Sequence, residues 1–229
     1  MGRPPRLALG GYVYHALNRA NARMRIFKTD ADYEAFEALL EQACERLPMR
    51  LLAYCIMPNH WHLVLRPHAD GDLSAFLGWL TLTHTQRWHV HHDTVGAGHL
   101  YQGRFRSFVV QTDRHFLTVC RYVERNALRA GLVRRAEDWR WSSLWRTRFG
   151  DAEARTLLAP WPMSRPQNWC ALVNRPQTED ELDALRRSVN RGRPFGSEYW
   201  VKRTANRFDL TATMRSPGRP RKDEHKNGS

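Results

Sequence analysis

The chain has 229 residues and carries 36 Lys and Arg against 23 Asp and Glu, a formal net charge of +13. Its 42% hydrophobic and 11% aromatic content excludes a disordered chain, and apolar runs broken by Arg or His well short of about 20 residues exclude a membrane-spanning helix. The surplus is mostly arginine, whose planar guanidinium suits phosphates and base edges, so the expected partner is a polyanion and first of all nucleic acid.

In chain order, residues 12–17 read as a strand. A helix follows Asp30, with Phe36, Leu39, Leu40, Ala43, Cys44 and Leu47 spaced by three and four and Pro48 as the stop. Residues 51–57 form an apolar run of strand length, Pro58-Asn59 reads as a turn, and residues 60–66 return as the second strand of a hairpin. A second helix starts near Asp72, and the His89-Val90-His91-His92 cluster and Gly96-Ala97-Gly98 read as loop. Phe108-Val109-Val110 ends a strand, and a third helix is expected from about Asp113 to Arg129, stopped by Gly131. This order predicts an α+β fold of split βαβ type, an antiparallel sheet with helices packed on it. Residues 1–149 are expected to form the core domain and 150–214 a helical and loop extension, with 215–229 a disordered basic tail.

Cys44, Cys55, Cys120 and Cys170 are widely separated, with no Cys-x-x-Cys pair for a zinc ribbon. No hydrophobic segment of signal-peptide length follows the arm Met1-Gly2-Arg3-Pro4-Pro5-Arg6. Together these predict a reduced, cytoplasmic protein without a membrane partner.

Three features carry chemistry. On a strand, His60 and His62 point to one face, where two neutral imidazoles make half a site for a divalent metal, while Trp61 points away. The pattern alone also suits two core histidines. Tyr122 and Asn126 lie one helical turn apart; a tyrosine oxygen can attack a phosphodiester, and an amide oxygen can complete a metal site. A core tyrosine followed by an asparagine near a helix end is the plainer alternative. The stretch from Leu100 to Ser107 alternates Arg104 and Arg106 with Phe105, a moderate nucleic-acid signal.

Met57-Pro58-Asn59-His60-Trp61-His62-Leu63 resembles the metal-binding signature of the single-tyrosine HUH transposases, in particular the REP-associated tyrosine transposases. Tyr14-His15-Ala16-Leu17-Asn18-Arg19, Tyr101-Gln102-Gly103-Arg104-Phe105-Arg106-Ser107, Arg121-Tyr122-Val123-Glu124-Arg125-Asn126, Arg129-Ala130-Gly131-Leu132-Val133 and Trp139-Arg140-Trp141-Ser142-Ser143 match that group in order, over roughly residues 8–148. The resemblance implies an enzyme that cuts single-stranded DNA beside a hairpin, leaving a 5′-phosphotyrosine link and a free 3′-hydroxyl. It implies Tyr122 as nucleophile, His60, His62 and Asn126 as ligands, and Mg2+ or Mn2+ as the metal. It favours a monomer, a dimer exchanging tyrosine helices being the alternative. Two residues depart from the group's pattern. Ala127 stands where many relatives have proline, which predicts a longer regular helix. Trp61 is bulkier than the usual residue.

Arg3, Arg6, Arg19, Arg104, Arg106, Arg121, Arg125, Arg191, Arg193, Arg219 and Arg221 are the expected DNA contacts, the last four around two Gly-Arg-Pro segments suited to a narrow minor groove. His15 reads as a packing or DNA-contact residue, and His84, His89, His91, His92 and His99 as a solvated set. A hairpin-binding regulator without catalysis and a small-molecule metal hydrolase are the competing functions.

Overall fold

The computed structural model describes residues 7–215; Arg3, Arg6, Arg219, Arg221 and all but the first residue of the expected tail lie outside them. Strands β1 (Val13–Arg19), β2 (Met49–Met57), β3 (His60–Pro67) and β4 (Arg106–Val110) form a sheet in the order β2-β3-β1-β4, with every neighbouring pair antiparallel. Helix α1 (Asp30–Arg46) joins β1 to β2 and α2 (Asp72–His91) joins β3 to β4, the expected α+β plan.

The period of two along each strand divides the apolar residues between two cores. Tyr14, Ala16, Trp61, Leu63 and Leu65 pack beneath α1 and α2. Val13, Val64, Phe108 and Val110 face α3 (Arg114–Glu124) on the other side. The β2–β3 hairpin closes through the two-residue turn Pro58-Asn59. That turn is pinned from outside: the Pro58 carbonyl accepts from the Ile26 and Phe27 amides, and the Asn59 carbonyl from Ala20.

Three local expectations change. The α1 cap is Thr29, one residue before Asp30, because Asp32 reaches back in a capping box. Helix α2 runs through the histidine cluster to His91, since buried Trp88, donating from Nε1 to the Ile26 carbonyl at 2.7 Å, holds that turn on the core. His84 is likewise no solvated residue: it is buried, with Nδ1 2.7 Å from the Tyr101 hydroxyl.

The third expected helix is not continuous despite Ala127. It divides into α3 and the single turn α4 (Asn126–Arg129), with Arg125 at φ −82°, ψ −5° between them. The cause is tertiary. Glu124, fully buried, accepts from Ser143 Oγ and Trp169 Nε1, each at 2.6 Å, while Arg125 donates to the Val173 and Asn174 carbonyls. Both sides of the break are thus tied to the later chain.

That later chain folds as α5 (Ser143–Phe149), α6 (Ala152–Arg155), α7 (Trp169–Asn174), α8 (Glu179–Arg191) and α9 (Glu198–Arg207). Trp169, Val173, Leu182 and Leu185 enter the core on the α3 side of the sheet. Past α8 the chain turns at Gly192, in the left-handed region at φ +71°. Phe195 then makes a parallel bridge to Val110. Gly192-Arg193-Pro194 is therefore a helix stop leading into sheet pairing, and it does not stand free as an extended groove-binding hook.

Candidate active site

Strand β3 places His60 and His62 on the α3 face of the sheet, their ring centroids 4.9 Å apart. Trp61 points to the opposite core, fully buried, and donates from Nε1 to the Tyr101 hydroxyl at 2.9 Å. Its bulk never meets the site. Helix α3 lays Tyr122 over the histidine pair, with the Tyr122 ring centroid 5.7 Å from His62 at an interplanar angle of 90°.

Each imidazole is held by its Nδ1. His60 Nδ1 lies 2.6 Å from Asn59 Oδ1. The Asn59 amide nitrogen donates to the Arg23 carbonyl at 3.1 Å, so its oxygen must face His60, which donates from Nδ1 and keeps a lone pair on Nε2. His62 Nδ1 lies 2.9 Å from His15 Nε2. Asn59 and His15 hold the expected ligands although their sequence positions suggest only a turn and a packing or DNA-contact residue. The unbroken Pro58-Asn59-His60 run was a usable signal for Asn59. Nothing local signalled His15, which is 47 residues away from His62.

The donor set suits a divalent metal. His62 Nε2 is buried and has no hydrogen-bond partner, an arrangement an imidazole nitrogen escapes by ligation. Burial lowers the His60 pKa to about 3, with Arg19 and Arg129 nearby adding to the effect. It holds His62 well below the usual histidine range, again chiefly by burial. Both rings are neutral, as ligands must be. Asn126 is buried one helical turn past Tyr122, but its Oδ1 accepts from Arg129 at 3.0 Å and its Nδ2 has no partner. A metal would have to share that oxygen with Arg129 or displace it.

Arg129, at the end of the third expected helix, belongs to the site. Its guanidinium lies 4.8 Å over the Tyr122 ring, with one nitrogen 3.5 Å from the hydroxyl. Tyr122 and His62 open on a cleft of about 600 Å³ walled by Arg19, Arg104, Arg106 and Arg191. Arg104 and Arg106 are exposed. Arg121 and Arg125 are placed elsewhere. Arg121 donates to the Arg175 and Pro176 carbonyls and pairs with Glu181, so both guanidinia clamp the extension to α3. A further set of donors, Asp32, His91 and His92, lies within 4.8 Å on the α1–α2 side of the sheet; there Asp32 already accepts from His92 Nε2 at 2.9 Å.

A family model described as IS200-like transposase matches residues 9–126, a span running from just before β1 to Asn126, and the chain belongs to that family. It is similar to a candidate REP-associated tyrosine transposase of Haemophilus influenzae, 25% identical over 132 residues, covering 54% of this chain and 74% of the relative. A solved structure of a REP-associated tyrosine transposase bound to a REP hairpin matches with a TM-score of 0.53 at 18% identity, covering 72% of this chain and 93% of that one. These findings bear out the resemblance drawn from the motifs. A candidate transposase from Deinococcus radiodurans aligns with a TM-score of 0.40 at 16% identity, over 54% of this chain and 96% of its own. No helix among the described residues is long and apolar enough to cross a membrane.

The neutral histidines make the fold acid-sensitive. Burial lowers His15 and His84 from 6.5 to about 3, so between those values the unfolded chain binds protons that the folded chain refuses. Their stabilisation is complete above about pH 6.5 and is lost as pH falls toward 3, the loss at pH 5 being about 2 kcal/mol for each ring. Urea denaturation followed by tryptophan fluorescence should show a clearly lower midpoint at pH 5 than at pH 7; equal midpoints would contradict buried neutral imidazoles.

Proposed function

We propose that the chain is a metal-dependent, single-strand-specific DNA endonuclease and strand transferase acting beside hairpins of the REP type, with Tyr122 as the nucleophile. The observation that carries this reading is the juxtaposition of Tyr122 with the neutral pair His60 and His62, the buried Nε2 of His62 lacking a hydrogen-bond partner, at a cleft that Tyr122 and His62 line together with four arginines. The solved structural neighbour, a transposase bound to a REP hairpin, supports the same partner.

In this mechanism the Tyr122 oxygen attacks phosphorus and the P–O3′ bond breaks. The 5′-phosphate stays on tyrosine, and the phenolic proton is balanced by the one gained at the departing 3′-oxygen. One P–O ester replaces another, so bond energy is stored and the same residues run the step backwards when a 3′-hydroxyl returns. His60 and His62, with the Asn126 oxygen if Arg129 releases it, would hold Mg2+ or Mn2+, which when bound withdraws charge from a non-bridging phosphate oxygen. Arg129 orients the phenol and supplies positive charge beside its oxygen, and Arg19, Arg104, Arg106 and Arg191 draw the DNA backbone into the cleft. The protein would act as a monomer at the bacterial nucleoid.

The deciding experiment incubates the chain with Mg2+ or Mn2+ and single-stranded hairpin oligonucleotides labelled at the 3′ end. Label should remain with the protein on denaturing gels, because the 3′ fragment carries the phosphotyrosine. Salt-sensitive hairpin binding without any covalent product would favour the non-cutting regulator instead.

A further inference from the structure

We infer that His15 is a positioning residue for the metal centre, accepting the Nδ1 proton of His62 through its own Nε2 and so turning His62 Nε2 into a ligand. This rests on the proposed metal role of His62 and deepens it.

The register makes the pair possible. In β1 and β3, His15 is opposite Val64 and Leu17 is opposite His62, so His15 and His62 are diagonal neighbours on one face, within reach of two long rings. Their Nε2 and Nδ1 atoms are 2.9 Å apart and both side chains are buried. Two further rings stand beside His62, His60 at 4.9 Å and Tyr122 at 5.7 Å between centroids. Among the described residues no other hydrogen-bond partner of the His62 side chain is present.

The proton inventory then has two states. Either His15 donates from Nε2 and His62 bears its proton on Nε2, where it cannot ligate, or His62 donates from Nδ1 and keeps its Nε2 lone pair while His15 carries its own proton on Nδ1, which is buried without a partner. Only the second serves a metal. Ligating histidines ordinarily pass this proton to a carboxylate, a carbonyl or water; here the acceptor is a neutral imidazole locked against Phe108, ring centroids 4.9 Å apart. His60 has its own acceptor in Asn59, so the two ligands are oriented independently and removal of His15 should damage only one.

The test measures Mn2+ binding directly, from the spin resonance signal of free Mn2+, on the full chain without DNA. His15→Phe keeps an aromatic ring of similar size and removes the acceptor; His15→Gln restores an acceptor oxygen. His15→Phe should weaken Mn2+ binding by about 10- to 100-fold, and His15→Gln should recover most of that loss. Hairpin affinity should stay at the wild-type value in both variants, which also reports that they fold. In cleavage assays the defect of His15→Phe should shrink as Mn2+ is raised. Wild-type Mn2+ affinity in His15→Phe overturns the positioning role, as does an equal loss in both variants. If His62→Ala itself retains wild-type Mn2+ affinity, the metal reading fails and the inference falls with it; loss in His62→Ala beside wild-type binding in His15→Phe refutes the inference alone.

Discussion

Tyr122→Phe should eliminate the covalent protein–DNA adduct and reduce cleavage by roughly 10³-fold or more, because the phenyl ring has no oxygen with which to attack phosphorus. Hairpin affinity should be unchanged. The substituted ring keeps the Tyr122 packing on His62 and the stacking of Arg129 at 4.8 Å, and the lost contact to Arg129, at 3.5 Å, is long for a hydrogen bond. The chemistry and the binding are thus separable at one atom. Denaturing gels of a labelled hairpin reaction read the first property, and fluorescence anisotropy under salt reads the second. An adduct surviving in the phenylalanine variant would move the nucleophile elsewhere.

The second large effect concerns the ligands, and it differs between the two histidines. His60→Ala and His62→Ala should each abolish cleavage across a full Mg2+ titration, since the loss of either imidazole leaves the metal too few protein donors. Their stabilities should not match. His62 is 3% exposed and partners His15, so its removal opens a buried cavity and leaves the His15 nitrogen unpaired, costing about 1–3 kcal/mol for the unpaired group alone. His60 sits at the hairpin end, 9% exposed, with its Nδ1 partner Asn59 already bonded to Arg23, so its loss should cost less. Thermal denaturation beside the cleavage assay separates the cases. Metal-dependent cleavage persisting in either variant would remove that residue from the ligand set.

What could be read in advance followed short-range rules. A period of two placed His60 and His62 on one face and Trp61 behind them, and apolar spacing located α1, α2 and the four strands. Contacts closed by distant chain could not be read that way. The helix break at Arg125 depends on carbonyls of Val173 and Asn174, nearly fifty residues on. Arg121 looked like a phosphate contact because arginine on a helix beside a candidate nucleophile usually faces solvent; its actual partners are Arg175, Pro176 and Glu181. The histidine-rich end of α2 looked like loop because its neighbours are polar and two glycines follow, whereas a single tryptophan anchor decides its course. Only the fold shows Arg129 stacked on Tyr122.

The chain beyond residue 139 also bears on how this sheet avoids meeting other sheets. An antiparallel sheet of four strands has two outer edges, each a row of backbone groups ready to pair with a neighbouring molecule. On β4, the Phe195 amide donates to the Val109 carbonyl and the Phe195 carbonyl accepts from Gln111. On β2, the Ile56 amide donates to Trp141, and the Leu51 carbonyl accepts from Ala159. Both rims are therefore sealed by the same molecule's later residues. A fragment cut back to the family-matched segment would keep Tyr122, His60 and His62, yet expose two sticky borders flanked by Phe108, Val110 and Leu52. Colloidal behaviour, and not only catalysis, thus sets the shortest length at which this protein can be handled.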